Sequence, residues 1–293
     1  MRWVLWSAIG FLMLPVVNNN ADTLHIQTAE GQSFSIERSS LEVQLVDEPL
    51  LNESAYQQIL SKVQKSVYSP PQNAFIDETN NIVQEHPGTM LNDGKFRASA
   101  NEFLFSKGDL HLEAPLLILY PRVDSETLAH IRTKLIGSYI TYFNTFNKER
   151  TKNITLATEK INNAVVFPGE VFSFNEVVGK RTKEKGYEKA PVIVRGELSE
   201  DIGGGICQVS STLFNAVDRA GVAILERYHH SKRVPYVPLG RDATVSWYGP
   251  DFTFRNDYNQ PVLISARITG GQLIVKVYSS DTVNAEMRQI PGA

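Results

Sequence analysis

Apolar and polar positions recur at regular spacings through the first third of the chain. Alternation in LHIQTAEGQSFSIE, interrupted by the polar residues 30–32, predicts a β-hairpin. In ESAYQQILSKVQKSV, Tyr56, Ile59 and Val63 recur at helical spacing, which predicts an amphipathic helix. NAFI and NIVQE flank a polar turn at residues 77–80 and predict a second hairpin. HLEAPLLILYPRV predicts a closing strand, so this part is expected to be a small α+β module.

The pattern after residue 122 predicts two helical stretches and then a series of strands. VDSETLAHIRTKLIGSYITYF is predicted as a helix capped by Asp124 or Ser125, and a second helical stretch follows through NITLATEKIN. Residues 123–150 are therefore interpreted as a helical linker. Farther on, Pro168-Gly169 predicts a type II turn, and ITGGQLIV predicts a hairpin.

ICQVSSTLFNAVDRAG combines a helical core face with a polar stripe. Its apolar residues Ile206, Val209 and Leu213 are spaced for one buried face, and Gly221 stands where helices often end. The polar stripe comprises Gln208, Ser211, Thr212, Asn215 and Arg219. The whole pattern predicts an α+β fold of two modules, the second with antiparallel strands packed on this central helix.

Charge and the N-terminus add a cellular context. Residues 22–122 carry 14 acidic and 7 basic side chains, whereas the remainder is slightly basic, which supports two modules and disfavours nucleic-acid binding.

Residues 3–17 are uncharged and follow Arg2, as in a signal peptide. Residues 1–21 are therefore interpreted as a signal peptide or an N-terminal anchor. Export is expected in either case, and the anchor alternative implies membrane attachment through residues 3–17.

The single cysteine of the chain, Cys207, follows three glycines and falls in the first turn of the predicted helix. A helix N-terminus lowers the pKa of a thiol and favours the thiolate, which suits a nucleophile. A catalytic cysteine needs a base, and His229 and His230 are both candidates, with Asp242 or Asn256 to orient the imidazole. The alternative is a small packed core residue, and the residues alone leave both interpretations open.

Other candidate chemistry is limited. The glycines Gly203, Gly204 and Gly205 permit close approach of the backbone and can present N–H groups to an oxyanion. Cys207 with two histidines is a weak set of metal ligands, and we predict neither a metal nor a cofactor. The basic segment GKRTKEKGYEK is either a solvated loop or an anion-binding loop.

Several motifs of the second module resemble one known family. PGEVFSFN, GGGICQVSS, GRDATV and DFTFRND occur in the order found in the VanW family, and the resemblance covers about residues 151–279. It implies a bacterial cell-envelope protein, since some VanW proteins are encoded with glycopeptide-resistance genes, but it implies no particular reaction. A shorter resemblance around PPQNAFIDETNNIVQEHPGTMLN suggests a peptidoglycan-binding module.

The resulting expectations are specific. The chain divides into the leader, a peptidoglycan-binding-like module at 22–122, the linker at 123–150, a VanW-like domain at 151–280 and a tail at 281–293. One functional hypothesis is an exported, wall-associated binding protein, with peptidoglycan or its precursors as partner. The other is a cysteine-dependent acyl-transfer or hydrolase enzyme on peptidoglycan stem peptides. Candidate catalytic residues are Cys207, His230, His229 and Asp242. Candidate ligand-binding residues are Gly203, Gly204, Gly205, Gln208, Ser211, Arg241 and Asn175.

Overall fold

The computed structural model describes residues 22–45, 48–194 and 197–292. The described strands are β1 (Thr23–Gln27), β2 (Ser33–Glu37), β3 (Glu42–Leu45), β4 (Glu48–Leu51), β5 (Phe75–Ile76), β6 (Ile82–Val83), β7 (Gly88–Leu91), β8 (Leu110–Glu113), β9 (Leu116–Leu119), β10 (Lys134–Tyr142), β11 (Val165–Val166), β12 (Val171–Ser173), β13 (Lys189–Val194), β14 (Glu197–Ile202), β15 (Ala223–Glu226), β16 (Thr253–Arg255), β17 (Val262–Thr269) and β18 (Gln272–Ser279). The described α-helices are α1 (Arg38–Leu41), α2 (Glu53–Val67), α3 (Asp93–Phe105), α4 (Ser125–Ile131), α5 (Lys148–Ile161), α6 (Phe174–Val178) and α7 (Ile206–Arg219). The fold is mixed α+β, as predicted.

Two compact units make up the chain. The first contains Met1–Gln72 and Pro87–Tyr120, and the second contains Asn73–His86 and Pro121–Ala293. The predicted division at residue 122 differs from this, because the β5–β6 hairpin belongs to the second unit. Within that unit the hairpin is held by Asn163, whose side chain accepts from the Ile76 backbone N–H at 2.9 Å and donates to the Ile76 carbonyl at 3.0 Å.

The first unit packs its two longer helices, α2 and α3, against small sheets. Strand β1 pairs antiparallel with β2, as the hairpin prediction required, and parallel with β8. Helix α2 spans the predicted residues, and its N-cap is Asn52. Helix α3 was not predicted, although Phe96, Ala100 and Phe103 are buried along one face. The predicted closing strand is split into β8 and β9, which lie in different sheets.

The second unit is built around α7. A four-stranded antiparallel sheet has the order β10-β18-β17-β11, and α7 packs against β10 and β18. The approach to β10 is close, since a Cβ on Gly137 would lie 2.3 Å from the Ala216 carbonyl oxygen. A second sheet has the order β12-β16-β15, and β13 pairs with β14. The predicted hairpin at Thr269–Gln272 joins β17 to β18. The prediction of antiparallel strands on a central helix is therefore confirmed.

The predicted helical linker is largely not helical. Helix α4 begins after the cap Asp124, whose carboxylate accepts from the Thr127 backbone N–H at 2.7 Å, but the helix ends at Ile131. Residues 134–142 form β10 instead. Tyr139 is buried and Ile140 is exposed, which is the two-residue alternation of a strand. The β-branched and aromatic residues of this segment favour the strand once β18 is available for pairing.

The leader prediction for residues 1–21 lies outside the described residues. Within the described part of the chain, every helix is too short or too polar to cross a membrane. In the same part, no group of three or more His, Cys, Asp or Glu residues is arranged to hold a metal ion.

Candidate functional site

The site is organised by the glycine loop that leads into α7. Gly203 and Gly205 have φ angles of 91° and 108°, in the left-handed region that favours glycine. This turn allows the Ile206 backbone N–H to donate to the Gly203 carbonyl oxygen at 3.2 Å and starts the helix at Ile206. Because Ile206 and Val209 are buried in the core, the first turn is held rigidly. Cys207, the second residue of the helix, is half-buried and lines a cavity.

Cys207, His230 and Asp242 form a connected series of side chains. The His230 imidazole interacts with the Cys207 thiol, and this interaction lowers the pKa of the thiol and raises that of the imidazole. On its other side, the His230 Nδ1 atom lies 2.7 Å from a carboxylate oxygen of Asp242. Since Asp242 accepts the Nδ1 proton, Nε2 is the nitrogen left to face the sulfur. Two further contacts of the sulfur, to the Thr244 hydroxyl at 3.7 Å and the Val245 carbonyl oxygen at 3.5 Å, orient it.

Burial and position distinguish the two candidate histidines, which both contact Asp242. Its two carboxylate oxygens accept hydrogen bonds from His229, from the His230 ring and from the His230 backbone N–H. The His230 side chain is only 6% exposed and lines the cavity, whereas the His229 side chain is 51% exposed. His229 therefore braces Asp242 from outside, and His230 is the residue beside the sulfur.

The protonation equilibria of this series are coupled. Burial opposes the charged form of Cys207, but the hydrogen bond to His230 and its positive charge outweigh burial, so the pKa of the thiol lies below its usual value. Burial also opposes the imidazolium, yet Cys207 and Asp242 raise the pKa of His230. Burial disfavours the Asp242 carboxylate, but hydrogen bonds from the two histidines lower its pKa to about 2. The coupling thus shifts the pair toward a thiolate beside an imidazolium.

The cavity next to Cys207 has a volume of about 980 Å³. Its walls combine aromatic side chains with basic ones, including Tyr236, Trp247, Arg150 and Arg181. Burial and the charge of Cys207 raise the pKa of Tyr236, so its hydroxyl stays protonated as a hydrogen-bond donor. A volume of this size accommodates a peptide-sized ligand.

The predicted ligand-binding residues divide into two groups. Gly203, Gly205 and Gln208 line the cavity. Gln208 is itself buried, and its side-chain oxygen accepts a hydrogen bond from Arg150 at 2.8 Å. Gly204 instead permits close packing, since a Cβ there would lie 2.4 Å from the Ala190 carbonyl oxygen.

The other three predicted ligand-binding residues are absent from the described cavity lining and make structural contacts instead. Ser211 accepts a hydrogen bond from the Ala243 backbone N–H at 2.9 Å. Arg241 binds Asn215 and Asp218, each at 2.7 Å. The amide nitrogen of Asn175 donates to backbone carbonyls at 3.0 and 3.2 Å. Apart from Gln208, the polar stripe of α7 is therefore a hydrogen-bonded network and not an open site face, because its side chains find partners in β10 and in the surrounding loops.

Sequence reasoning missed several cavity residues. Arg150 lies in α5 and Tyr236 in a loop, and the sequence patterns singled out neither residue. Arg181 belongs to the basic segment and lines the cavity, so the solvated-loop interpretation fails for this residue. Gly179 and Gly186, which flank most of the basic residues of this segment and have positive φ, were the available signal for a structured loop.

These features define the class of protein. The second unit is an α+β domain with a cysteine in the first turn of its central helix, and a histidine held by a carboxylate lies beside that cysteine. The family model described as VanW like protein matches residues 149–278. The chain belongs to the VanW family.

Two curated relatives match the chain. The uncharacterized protein YoaR of Bacillus subtilis is 47% identical over 285 residues, which cover 97% of this chain and 94% of the relative. The vancomycin B-type resistance protein VanW of Enterococcus faecalis is 28% identical over 139 residues, which cover 46% of this chain and 50% of the relative. No solved structure matches the chain.

Proposed function

We propose that this protein is a cysteine-dependent enzyme that cleaves or transfers acyl groups of peptides. The observation that carries the proposal is the series Cys207–His230–Asp242 in the wall of a cavity. A nucleophile bonded to a base, with a third group orienting the base, is the arrangement that activates weak nucleophiles on unrelated folds.

The geometry supports an acylation step with a clear fate for each proton. The Cys207 sulfur attacks the carbonyl carbon of an amide, and the carbonyl electrons move to the oxygen. The His230 imidazolium gives its proton to the leaving nitrogen, the carbon–nitrogen bond breaks, and a thioester remains. Water or a second amine, deprotonated by His230, then attacks the thioester and releases the thiolate.

Two features favour the negative charge that develops on the carbonyl oxygen. The backbone N–H of Cys207 lies in the first turn of α7, where N–H groups lack partners within the helix and the helix dipole is positive. Tyr236, whose hydroxyl stays protonated, lines the same cavity. Donors of this kind, held in a site shielded from water, stabilise an oxyanion.

The substrates that we propose are the stem peptides of peptidoglycan. The protein would bind them outside the cytoplasmic membrane. Support comes from the predicted export leader and from membership of a family in which one relative carries vancomycin resistance in its name. The proposed role of the first unit is to bind the cell wall and bring the second unit to its substrate. A purely wall-binding function leaves the hydrogen-bonded thiol, imidazole and carboxylate without a purpose, so we favour catalysis.

The test is an assay of the protein that lacks only its predicted leader, with purified peptidoglycan fragments as substrates. The products are separated by chromatography and identified by mass spectrometry. The wild-type protein is expected to cleave or exchange an amide bond of the stem peptide. Cys207→Ala and His230→Ala are expected to reduce the rate by about 10³-fold or more, because each removes a group that acts as part of one unit.

The matched control is His229→Ala, which removes the histidine that contacts Asp242 but not the sulfur. It is expected to keep far more activity than His230→Ala. Circular dichroism must show that all variants fold. Identical product patterns for wild type and Cys207→Ala would reject the catalytic proposal.

A further inference from the structure

The cavity beside Cys207 carries an excess of positive charge. Arg150, Lys180 and Arg181 line it, and Asp201 is the acidic residue in the described part of its wall. The Lys180 ammonium lies 5.3 Å from the centre of the Tyr248 ring, at the same wall. Because Arg150 and Arg181 are partly buried, water screens their charges less, and the cavity favours an anionic ligand.

Arg181 is the unusual member of this group. Both terminal nitrogens of its guanidinium are buried, and among the residues that the structure describes they have no hydrogen-bond partner. Burial lowers the pKa of this guanidinium, which measures the cost of keeping the charge there. A buried cation without acceptors is expensive, so such a group is typically completed by a ligand.

The neighbours of Arg181 do not supply the missing acceptors. Its guanidinium lies 5.8 Å from the centre of the Phe174 ring, a contact that offers no hydrogen-bond acceptor of the usual kind. The nearby carboxylate of Asp251 accepts from the Ser173 hydroxyl and from the Asn175 backbone N–H instead. No protein acceptor among the described residues therefore competes with a planar anion for the fork of this guanidinium.

The glycine loop brings two arginines next to the nucleophile. A Cβ on Gly205 would lie 2.9 Å from Cγ of Arg150, and one on Gly203 would lie 3.4 Å from Cβ and Cγ of Arg181. The bare backbone ahead of Cys207 thus lets both side chains pack against it. Gln208 fixes the Arg150 guanidinium through a 2.8 Å hydrogen bond.

We propose that Arg181, assisted by Arg150, binds a free carboxylate of the substrate next to the bond that Cys207 attacks. The ligand class is therefore a peptide with a carboxylate close to the scissile amide. This inference rests on the proposed function, and it adds the part of the substrate that the site recognises. An arginine fork forms two parallel hydrogen bonds with a carboxylate, which gives both affinity and orientation.

The test compares two alkylating agents of the same size on the full chain. Iodoacetate carries a carboxylate and iodoacetamide does not, and both form a carbon–sulfur bond with the thiolate as iodide leaves. Cys207 is the single cysteine of the chain, so labelling is unambiguous. Both rates are measured at a pH where the thiol is fully ionised, so that their ratio does not depend on the thiol pKa.

For the wild type, the iodoacetate-to-iodoacetamide ratio is expected to exceed that of N-acetylcysteine by about tenfold or more. Arg181→Gln is expected to remove most of this preference. The matched control is Lys183→Gln, which deletes one positive charge from the same segment at an exposed residue. Equal changes in the two variants, or a wild-type ratio equal to that of N-acetylcysteine, would overturn the proposal.

Protection of Cys207 against iodoacetamide identifies the source of the carboxylate. N-acetylalanine presents an α-carboxylate, glutaramic acid presents a carboxylate like that of a side chain, and N-acetylalanine amide is the neutral control. Protection by either acid but not by the amide supports the site, and equal protection by all three contradicts it. Failure of the proposed function is distinguishable from failure of the carboxylate site. If the proposed function fails, Cys207 reacts as an ordinary thiol whether or not His230 is present.

Discussion

At the scale of single residues, reactivity at this site depends on which side chain shares a proton with Cys207. Helix position alone lowers a thiol pKa modestly, whereas burial raises it. The hydrogen bond and charge of His230 reverse the effect of burial. Asp242, in turn, holds His230 in the tautomer that points Nε2 at the sulfur. The three residues therefore act together, although they come from a helix and two points of one later loop.

This coupling predicts a shift in the pH dependence of alkylation. In the wild type the rate of reaction with iodoacetamide should rise at a lower pH than for an ordinary thiol, because the pKa of Cys207 is lowered. In His230→Gln the imidazolium is lost and burial remains, so the midpoint of the profile should move to higher pH. His229→Gln should leave the midpoint in place, since His229 contacts Asp242 and not the sulfur. Coincident profiles for wild type and His230→Gln would contradict this account.

At the scale of elements, α7 is held by polar contacts as well as by its apolar face. Thr212 shares a 2.8 Å hydrogen bond with Thr141 of β10. Ser211 and Asn215 bind the backbone of the loop that carries Asp242, at Ala243 and Arg241. The buried polar stripe thus fixes the distance between the helix that carries the nucleophile and the loop that carries the carboxylate.

The entry into α7 should be far less tolerant of substitution than an open turn. Gly205→Ala forces an alanine into φ 108° and places its Cβ 2.9 Å from Arg150 and 3.0 Å from Ile154. Gly240→Ala is the matched control, because Gly240 has φ 76° with no atom within 4 Å of the added Cβ. Both variants should lose about 1–2 kcal/mol of unfolding free energy from backbone strain. Gly205→Ala should lose about 1–3 kcal/mol more from overpacking.

Urea denaturation monitored by tryptophan fluorescence measures this difference. Cys207 alkylation by iodoacetamide should also slow in Gly205→Ala, because the first turn of α7 moves. Equal destabilisation of the two alanine variants would show that the crowding around Gly205 carries no energetic cost.

At the scale of the whole molecule, the second unit is built from two separate segments of the chain, Asn73–His86 and Pro121–Ala293. Residues 73–86 complete an apolar cluster in which Ala74 and Ile76 pack with Leu128 and Ile131. The Ala74 backbone N–H also donates to the Val123 carbonyl oxygen at 2.9 Å. A division of the chain at residue 122 would therefore cut through the core of the second unit.

This organisation predicts different stabilities for two fragments of the second unit. One contains residues 121–292 alone, and the other adds residues 73–86 through a flexible linker of about ten residues that replaces 87–120. The shorter fragment should be less stable by about 3 kcal/mol or more, since it loses two buried apolar side chains and the hydrogen bonds of Asn163. Calorimetric unfolding of both fragments measures this. Equal melting temperatures would show that the hairpin contributes nothing to the unit.

Local patterns in the sequence determined a large part of this protein. The boundaries of α2, the hairpin between β17 and β18, and α7 with Cys207 in its first turn follow from short-range spacing and from glycine at turns. Motif order determined the family. These features depend on interactions within a few residues, which the sequence expresses directly.

Only the tertiary structure decided the remaining features. It selected His230 over His229, turned residues 134–142 into β10, assigned residues 73–86 to the second unit and brought Arg150 and Arg181 to the cavity. Each depends on a partner that is distant in the sequence: a carboxylate, a neighbouring strand or a packed core. Neither helical periodicity nor the spacing of a motif specifies where such a partner lies, because chain folding sets those distances.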